Sequence, residues 1–339
     1  MAIKFFDGCG LYKSAVADYA SPLIPLSWDY TTTGGRFGGG CLASYDGDSW
    51  RLMTPTANGV ACFLGASMKF NTNMYDNPLY SFVDVSGKVL GQVCRTKQGA
   101  LTVVDNAGSV LQTSPVCFRL SAWFRFEAKF VTDGSTGSMV VHIDGQEVLN
   151  VTGINTSIGG STDHITFNNP RFDTDVCYWD DIVWWDDVGE INNDFFGDLR
   201  IDELLPTANG ASQDWVPNTG SAYAAVDDPV GSYDNDTTYI ASSAADARSN
   251  FAMSDIATPS DKICAVQVRA RVKKSDAGAT TLSTYISSGD ESVDDATPHT
   301  PTTAYLFIAG DVHETDPSTG LPWDNDGVNG LSAGVVVSS

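Results

Sequence analysis

An all-β chain of two antiparallel sandwiches is what this sequence predicts, and three observations predict it. Of the 42 acidic residues only six are Glu (positions 127, 147, 190, 203, 291 and 314), leaving 36 Asp. Asp favours turns and forms helices poorly, whereas Glu is a good helix former. Apolar residues recur with period two over several stretches, the spacing of half-buried strands, and no stretch shows the 3.6-residue period of an amphipathic helix. Between them lie turn clusters such as TTTGGRFGGG, TDGSTG, SIGGST and KSDAGAT. Strands joined this way, without helices, build antiparallel sandwiches or jelly rolls. At 339 residues, with 8 Trp, 12 Tyr and 16 Phe, the chain has the length and apolar mass for two cores.

The elements follow in chain order. GGRFGGGCL, Gly34 to Leu42, is Gly-rich but runs into a strand and not a helix, so it predicts a turn and no phosphate cradle. LSAWFRFEAKFV alternates cleanly, with Phe124, Phe126, Ala128 and Phe130 to one face and Arg125, Glu127 and Lys129 to the other. That pattern casts Glu127 as a surface acid paired with its basic neighbours. In SMVVHIDGQEVLNV the dipeptide Asp144-Gly145 separates two β-branched runs and supplies the positive φ values of a type I′ turn, predicting a hairpin. Ile182 to Trp185 is apolar on both faces, so this strand is central in its sheet or covered on its second face, and it closes the first sandwich. Asp180, Asp181, Asp186 and Asp187 are expected to end it, because bare carboxylates stay solvated. Gly189 to Asp194 then reads as a hinge, with a new strand near Asp198 to Leu205. The resulting domains are residues 1–192 and 193–339. In the second, ICAVQVRARVKK points Cys264, Val266, Val268, Ala270 and Val272 inward and Gln267, Arg269, Arg271 and Lys273 outward. PTANG occurs at Pro55 and again at Pro206, in different surroundings, and reads as a shared turn.

Net charge is −23, with 21 acids against 12 bases up to residue 195 and 21 against 7 after it. So strong a negative field excludes nucleic acid and anionic membrane as partners. The opening MAIKFFDGCG lacks the apolar stretch of a secretory leader, and no run approaches 18 apolar residues, so synthesis in a cytoplasm without a signal peptide is expected. The seven Cys (9, 41, 62, 94, 117, 177, 264) are odd in number, widely spaced and without a CxxC pair, which predicts reduced thiols. The four His (142, 164, 299, 313) are scattered and give no zinc-ligand cluster.

Several motifs carry a resemblance. GGRFGGGCL resembles the second-strand signature of the laminin-G-like jelly rolls in the concanavalin A-like lectin/glucanase superfamily. Trp123 to Asn150 resembles its middle, an aromatic strand followed by a hairpin closed by Asp-Gly. The run from Tyr178 to Asp186 resembles its closing strand, an aromatic residue followed by Asp-Asp-Ile-Val. Continuing through NDFFGDLRIDELLPTANG, DNDTTYIAS and HETDPSTGLPW, the chain is similar to tailed-phage virion proteins in which a lectin-like domain precedes a second β domain. The resemblance implies a concanavalin A-like jelly-roll sandwich followed by a second antiparallel β-sandwich. It also implies a non-enzymatic bacteriophage virion structural protein, a capsid decoration or a tail or fibre component. Such a protein is made in the host cytoplasm and located in the virion. It contacts other virion proteins as a homo-oligomer, and a trimer is the form the resemblance favours. The alternative is a carbohydrate-binding adhesin that recognises host surface glycans.

A glycan-cleaving enzyme is the third class, and the sequence argues against it. Retaining glucanases need two carboxylates about 5 Å apart, commonly Glu-x-Asp-x-Glu on one strand. No two Glu here lie within five residues of each other, and none precedes Glu127. No nucleophile elbow, Walker loop or dinucleotide fingerprint appears, so no catalysis and no organic cofactor are expected. Calcium is the one cofactor left open, because lectin-like sandwiches often carry it. Its candidate ligands are Asp173 and Asp175 in DTD and Asp234 and Asp236 in DND, which offer oxygens outside any EF-hand pattern. Trp28, Trp50, Trp179, Trp215 and Trp323 are candidate sugar-stacking rings, although large aromatics more often fill sandwich cores.

Overall fold

The computed structural model describes residues 2–9, 23–25, 29–31, 33–44, 49–57, 59–71, 76–156, 161–168, 176–229 and 232–338. The chain divides into two compact units, the first ending at Ile201 and the second running from Asp202 to the C-terminus. Both are built of antiparallel strands, as the Asp-rich, period-two sequence requires. The fold class is all-β, and the first unit is a jelly-roll sandwich.

Its first sheet runs Gln146–Ile154, Gly137–Ile143, Phe124–Val131, Ala61–Phe70, Cys177–Asp186, Cys41–Ser44 and Asp29–Thr31, with Ile3–Asp7 also pairing with Cys177–Asp186. Its second runs Val110–Val116, Ala100–Asp105, Val89–Arg95, Asn77–Val83, Thr162–Asn168, Ser49–Thr56 and Leu23–Pro25. Aromatic rings fill the space between them. Tyr80 stacks on Phe126 at 4.6 Å and Phe82 on Phe130 at 4.3 Å, pairs worth about 0.5–1.5 kcal/mol each beyond their burial. The expected hairpin is present: Ile143 pairs with Gln146, and Asp144 and Gly145 adopt φ of 49° and 76°.

The outer face of the first sheet is buried too, and this corrects several expectations. Cys177–Asp186 is central, with Ala61–Phe70 on one side and Cys41–Ser44 and Ile3–Asp7 on the other. Asp180 and Asp181 do not end it. The strand continues through them over a bulge, with Asp181 at φ 47° and the two residues only 4% and 1% exposed. Glu127 is not a surface acid but 1% exposed. The reason is the segment after Gly189, which does not swing free as a hinge. It folds back over this face, placing Phe195 edge-on to Phe63 at 5.3 Å, Phe196 against Trp185 at 4.5 Å and Phe195 flat on His142 at 3.7 Å. Phe63 and Trp185, partners across two strands, stack at 5.1 Å beneath it.

Buried polar groups fasten that strap. Glu127 accepts the backbone N–H groups of Phe196 (3.1 Å) and Gly197 (2.9 Å), and Asp181 accepts that of Ile201 at 2.9 Å. Arg36 reaches Asp198 through its guanidinium and the Leu199 carbonyl at 3.3 Å. Arg125 lies over Gly65 and donates to the Asp181 carbonyl at 2.6 Å; a Cβ on Gly65 would sit 2.3 Å from that guanidinium. Burial pushes the Glu127 and Asp181 carboxyls up, and it lifts Asp180, also facing Asp181, to about 7.

In the second unit a five-stranded sheet runs Pro206–Gln213, Arg248–Met253, Ser332–Val337, Leu282–Ser288 and Glu291–Asp294. No strand forms near Asp198 to Leu205, and the second PTANG lies inside the strand Pro206–Gln213 and is not a turn. Among the described residues Val266–Val272 pairs only with Leu306–His313. The expected inward face of that strand is therefore only half-buried, Val266 and Val268 packing beside a core of Ile286, Trp323, Val328, Leu331 and Ala333.

Candidate functional site

The five-stranded sheet of the second unit has one apolar face and one polar face, and strand periodicity separates them. Phe251, Ala333 and Ile286, partners across three strands, are buried on the core side. The residues between them point the other way. One row across the sheet is Asn250, Gly334, Tyr285 and Asp294, and the next is Ala252, Ser332, Ser287 and Ser292. Over this face opens a cavity of about 270 Å³, lined by Ser212, Arg248, Asn250, Tyr285, Ser287 and Ser332 and walled by the hairpin that carries Asp290, Glu291 and Ser292. The hairpin turn is two residues long, with Gly289 at φ 56° supplying the left-handed position.

Tyr285 forms the floor. It is 2% exposed and its ring lies flat over Gly334, where an added Cβ would stand 2.7 Å from the ring and 2.3 Å from the Ser249 carbonyl. Only glycine fits there. The hydroxyl stands beside Ser212 yet completes no hydrogen bond, and burial raises its pKa. A buried hydroxyl left in this state costs about 1–3 kcal/mol. Asn250, 6% exposed, has its side-chain oxygen committed to the Ser212 N–H at 2.9 Å, which fixes the wall of the adjoining strand. Arg248 stands 5.1 Å from the Tyr285 ring centroid and donates through both terminal nitrogens to Asp294, at 2.7 Å for the first. A recess ringed by hydroxyls, an amide and carboxylates, with an aromatic floor, is suited to a small polyol or sugar unit.

The residues singled out from the sequence fall elsewhere. Asp173 and Asp175 lie outside the described residues. Asp234 is turned to its own loop, accepting the Thr238 N–H at 3.0 Å, while Asp236 pairs with Lys273 and takes the Tyr305 hydroxyl at 2.9 Å. Lys273 holds the Asp236 carboxyl below its usual range. Among the described residues no three His, Cys, Asp or Glu side chains gather as a metal site. Trp28 and the side chain of Trp50 lie outside the description. Trp179 and Trp323 are core at 1% and 3% exposure, and Trp215 is half-buried with its indole N–H on the Ala247 carbonyl at 3.0 Å.

No protein-family model matches the chain, and no curated protein does. Solved structures resemble it over about half its length. A Trypanosoma rangeli sialidase in complex with sialic acid is 16% identical over 54% of this chain and 30% of that one, with a TM-score of 0.37. The Emp47p carbohydrate recognition domain is 10% identical, covering 51% and 98%, with a TM-score of 0.35. The alginate lyase from Corynebacterium sp. is 11% identical, covering 51% and 82%, also at 0.35. The chain thus spans less than a third of the sialidase. These matches overturn the expectation of no enzymatic activity, since two of the three are named as enzymes. That expectation came from a missing glutamate pair and missing nucleophile and cofactor motifs, and sugar-cleaving chemistry does not always run through a glutamate pair. Nothing in the matches indicates a phage virion.

The cavity residues escaped sequence reading because Ser, Asn and Gly are common turn residues that mark no site by themselves. The one signal was LSTYISSGDES, where Tyr285 and Ser287 alternate with Ile286 ahead of an acidic turn.

Proposed function

We propose that this chain is a glycan-binding protein whose second unit holds a sugar in the cavity over Tyr285. The observation that supports this reading is the recess of about 270 Å³ itself, lined by Ser212, Asn250, Ser287 and Ser332 around the buried Tyr285 ring. The virion setting rests on the resemblance of Gly34 to Leu42 and Tyr178 to Asp186 to phage proteins, and in that setting the chain is a particle component that contacts other virion proteins as a homo-oligomer and meets host surface glycans. Glycan-array screening followed by titration calorimetry tests the binding. Ser332→Ala removes one lining hydroxyl and a ligand hydrogen bond of about 1–1.5 kcal/mol, so Kd is expected to rise about 5- to 10-fold. A glycan bound equally well by Ser332→Ala, or an array without a binder, overturns the assignment. Immunogold labelling of purified particles tests the virion setting separately.

A further inference from the structure

We propose that the open end of the outer face of the first unit's first sheet is a binding site for sugars that carry a carboxylate. It lies in the first unit and stands or falls independently of the recess over Tyr285 in the second.

Side chains on that face fall in rows across the strands Phe124–Val131, Ala61–Phe70 and Cys177–Asp186. One row is Arg125, Ser67 and Asp180, and it is covered. Arg125 and Ser67 are fully buried, and Arg36 donates to the Ser67 hydroxyl at 3.2 Å and, through its backbone N–H, to Asp180 at 2.7 Å. The next row is Trp123, Lys69 and Tyr178. Tyr178 pairs with Lys69, and the register that pairs Phe124 with Met68 sets Trp123 on the other side of Lys69. All three are only half-buried, so the cover ends between the two rows.

The open row is an ammonium between two rings. Lys69 Nζ stands 4.9 Å from the Trp123 ring centroid and 4.5 Å from that of Tyr178. Aromatic rings attract a cation and hold its long side chain in place, but they leave its charge uncancelled. In a chain with 42 acids against 19 bases, Lys4 meets Asp186 and Lys273 meets Asp236. Lys69 meets no carboxylate among the described residues. Asp180, the acid of the neighbouring row, is turned to backbone, its two oxygens taken by the N–H groups of Arg36 and Asp181.

What the row offers a ligand is donors. Lys69 has three N–H bonds, Trp123 an indole N–H, and Tyr178 a hydroxyl that itself accepts from the Asn71 amide at 3.4 Å. The complementary ligand is rich in acceptors, carries a negative charge and presents C–H groups to the rings. An acidic sugar has all three: a carboxylate for the ammonium, hydroxyl oxygens for the other donors, and pyranose C–H groups against indole and phenol. The rings already position the ammonium, so binding orders little that is not ordered before.

The probes are 3′-sialyllactose and tetragalacturonate, each beside its neutral methyl ester, and a tetraglutamate peptide, all titrated calorimetrically into the full chain. At least one acidic sugar is expected to bind at least about tenfold more tightly than its ester, and to weaken as salt screens the exposed ion pair. Lys69→Met keeps an apolar stem against the rings and removes the charge, so it should bring the acid down to the affinity of its ester. Trp123→Ala should weaken acid and ester together. Lys129→Gln removes an equal charge from the same face, where Lys129 stands over the Phe63 ring, and should leave binding unchanged. Thermal melts confirm that each variant is folded. Neither acid binding, an ester bound as tightly as its acid, acid binding that survives Lys69→Met, or tetraglutamate bound as tightly as the sugars each overturns the inference. Acid binding lost in Ser332→Ala but kept in Lys69→Met overturns it too, by putting the ligand in the Tyr285 recess, and leaves the glycan-binding reading in place.

Discussion

Replacing Glu127 by alanine should release the strap that covers the outer face of the first sheet. The carboxylate accepts two backbone N–H groups, from Phe196 and Gly197, and faces the buried Arg125. Hydrogen bonds to a charged acceptor contribute about 1.5–3 kcal/mol each, so losing both amounts to roughly 3–6 kcal/mol. Against this, Glu127 no longer has to be desolvated, and burial is the main cause of its raised pKa, so part of the loss is returned. A net destabilisation of about 3 kcal/mol is expected, which for a unit of this size lowers the melting temperature by roughly 6–12 °C. The assay combines urea denaturation with hydrogen exchange read at the Phe196 and Gly197 amides. Glu127→Gln separates charge from shape: it keeps one acceptor and turns an NH2 toward a donor, so it should fall near the alanine value. Both amides should exchange faster while those of Phe124–Val131 stay protected. A loss below about 1 kcal/mol with both amides still protected would refute the latch.

Stability should also report the buried aspartate beside the strap. Asp180 has a native pKa of about 7 against an ordinary 3.8. Its native pKa is raised, so its contribution is fully present below about pH 4 and is lost as pH climbs through 7, roughly 1.4 kcal/mol per unit and up to about 4 in all. Asp180→Asn should therefore gain stability relative to the unaltered protein at pH 8 and gain least at pH 4; parallel urea curves at the two pH values would contradict this. Gly334→Ala should displace the Tyr285 ring and cost the second unit several kcal/mol, seen by calorimetry as a lowered transition for that unit alone. None of the seven thiols lies in a disulfide, four are buried, and burial lifts Cys62 and Cys94 to about 11. Iodoacetamide at pH 8 should accordingly modify the folded chain slowly and label seven cysteines once it is unfolded; a disulfide found by mass would sink that reading.

Strand periodicity was legible wherever one face is apolar and the other polar. Phe124 to Phe130 and the Asp144-Gly145 hairpin stand as read, because a two-residue repeat and a positive-φ dipeptide are local constraints. The doubly apolar Ile182–Trp185 was legible as a central or covered strand, but its cover was not. Phe195 and Phe196 lie in a polar stretch whose only local signal is turn-forming, and their partners Phe63, His142 and Trp185 are brought there by tertiary packing. That packing reversed the charges as well. Glu127, Asp180 and Asp181 look solvated in sequence and are buried because strap amides, Ser67 and arginines satisfy them. The cavity over Tyr285 follows the same rule. Its residues come from strands starting at positions 206, 248, 282 and 332, so no local window holds them together. Sequence determines periodicity, turns and net charge, which act over a few residues; burial, pairing and the site depend on which distant strands share a face, and only the tertiary structure decides that.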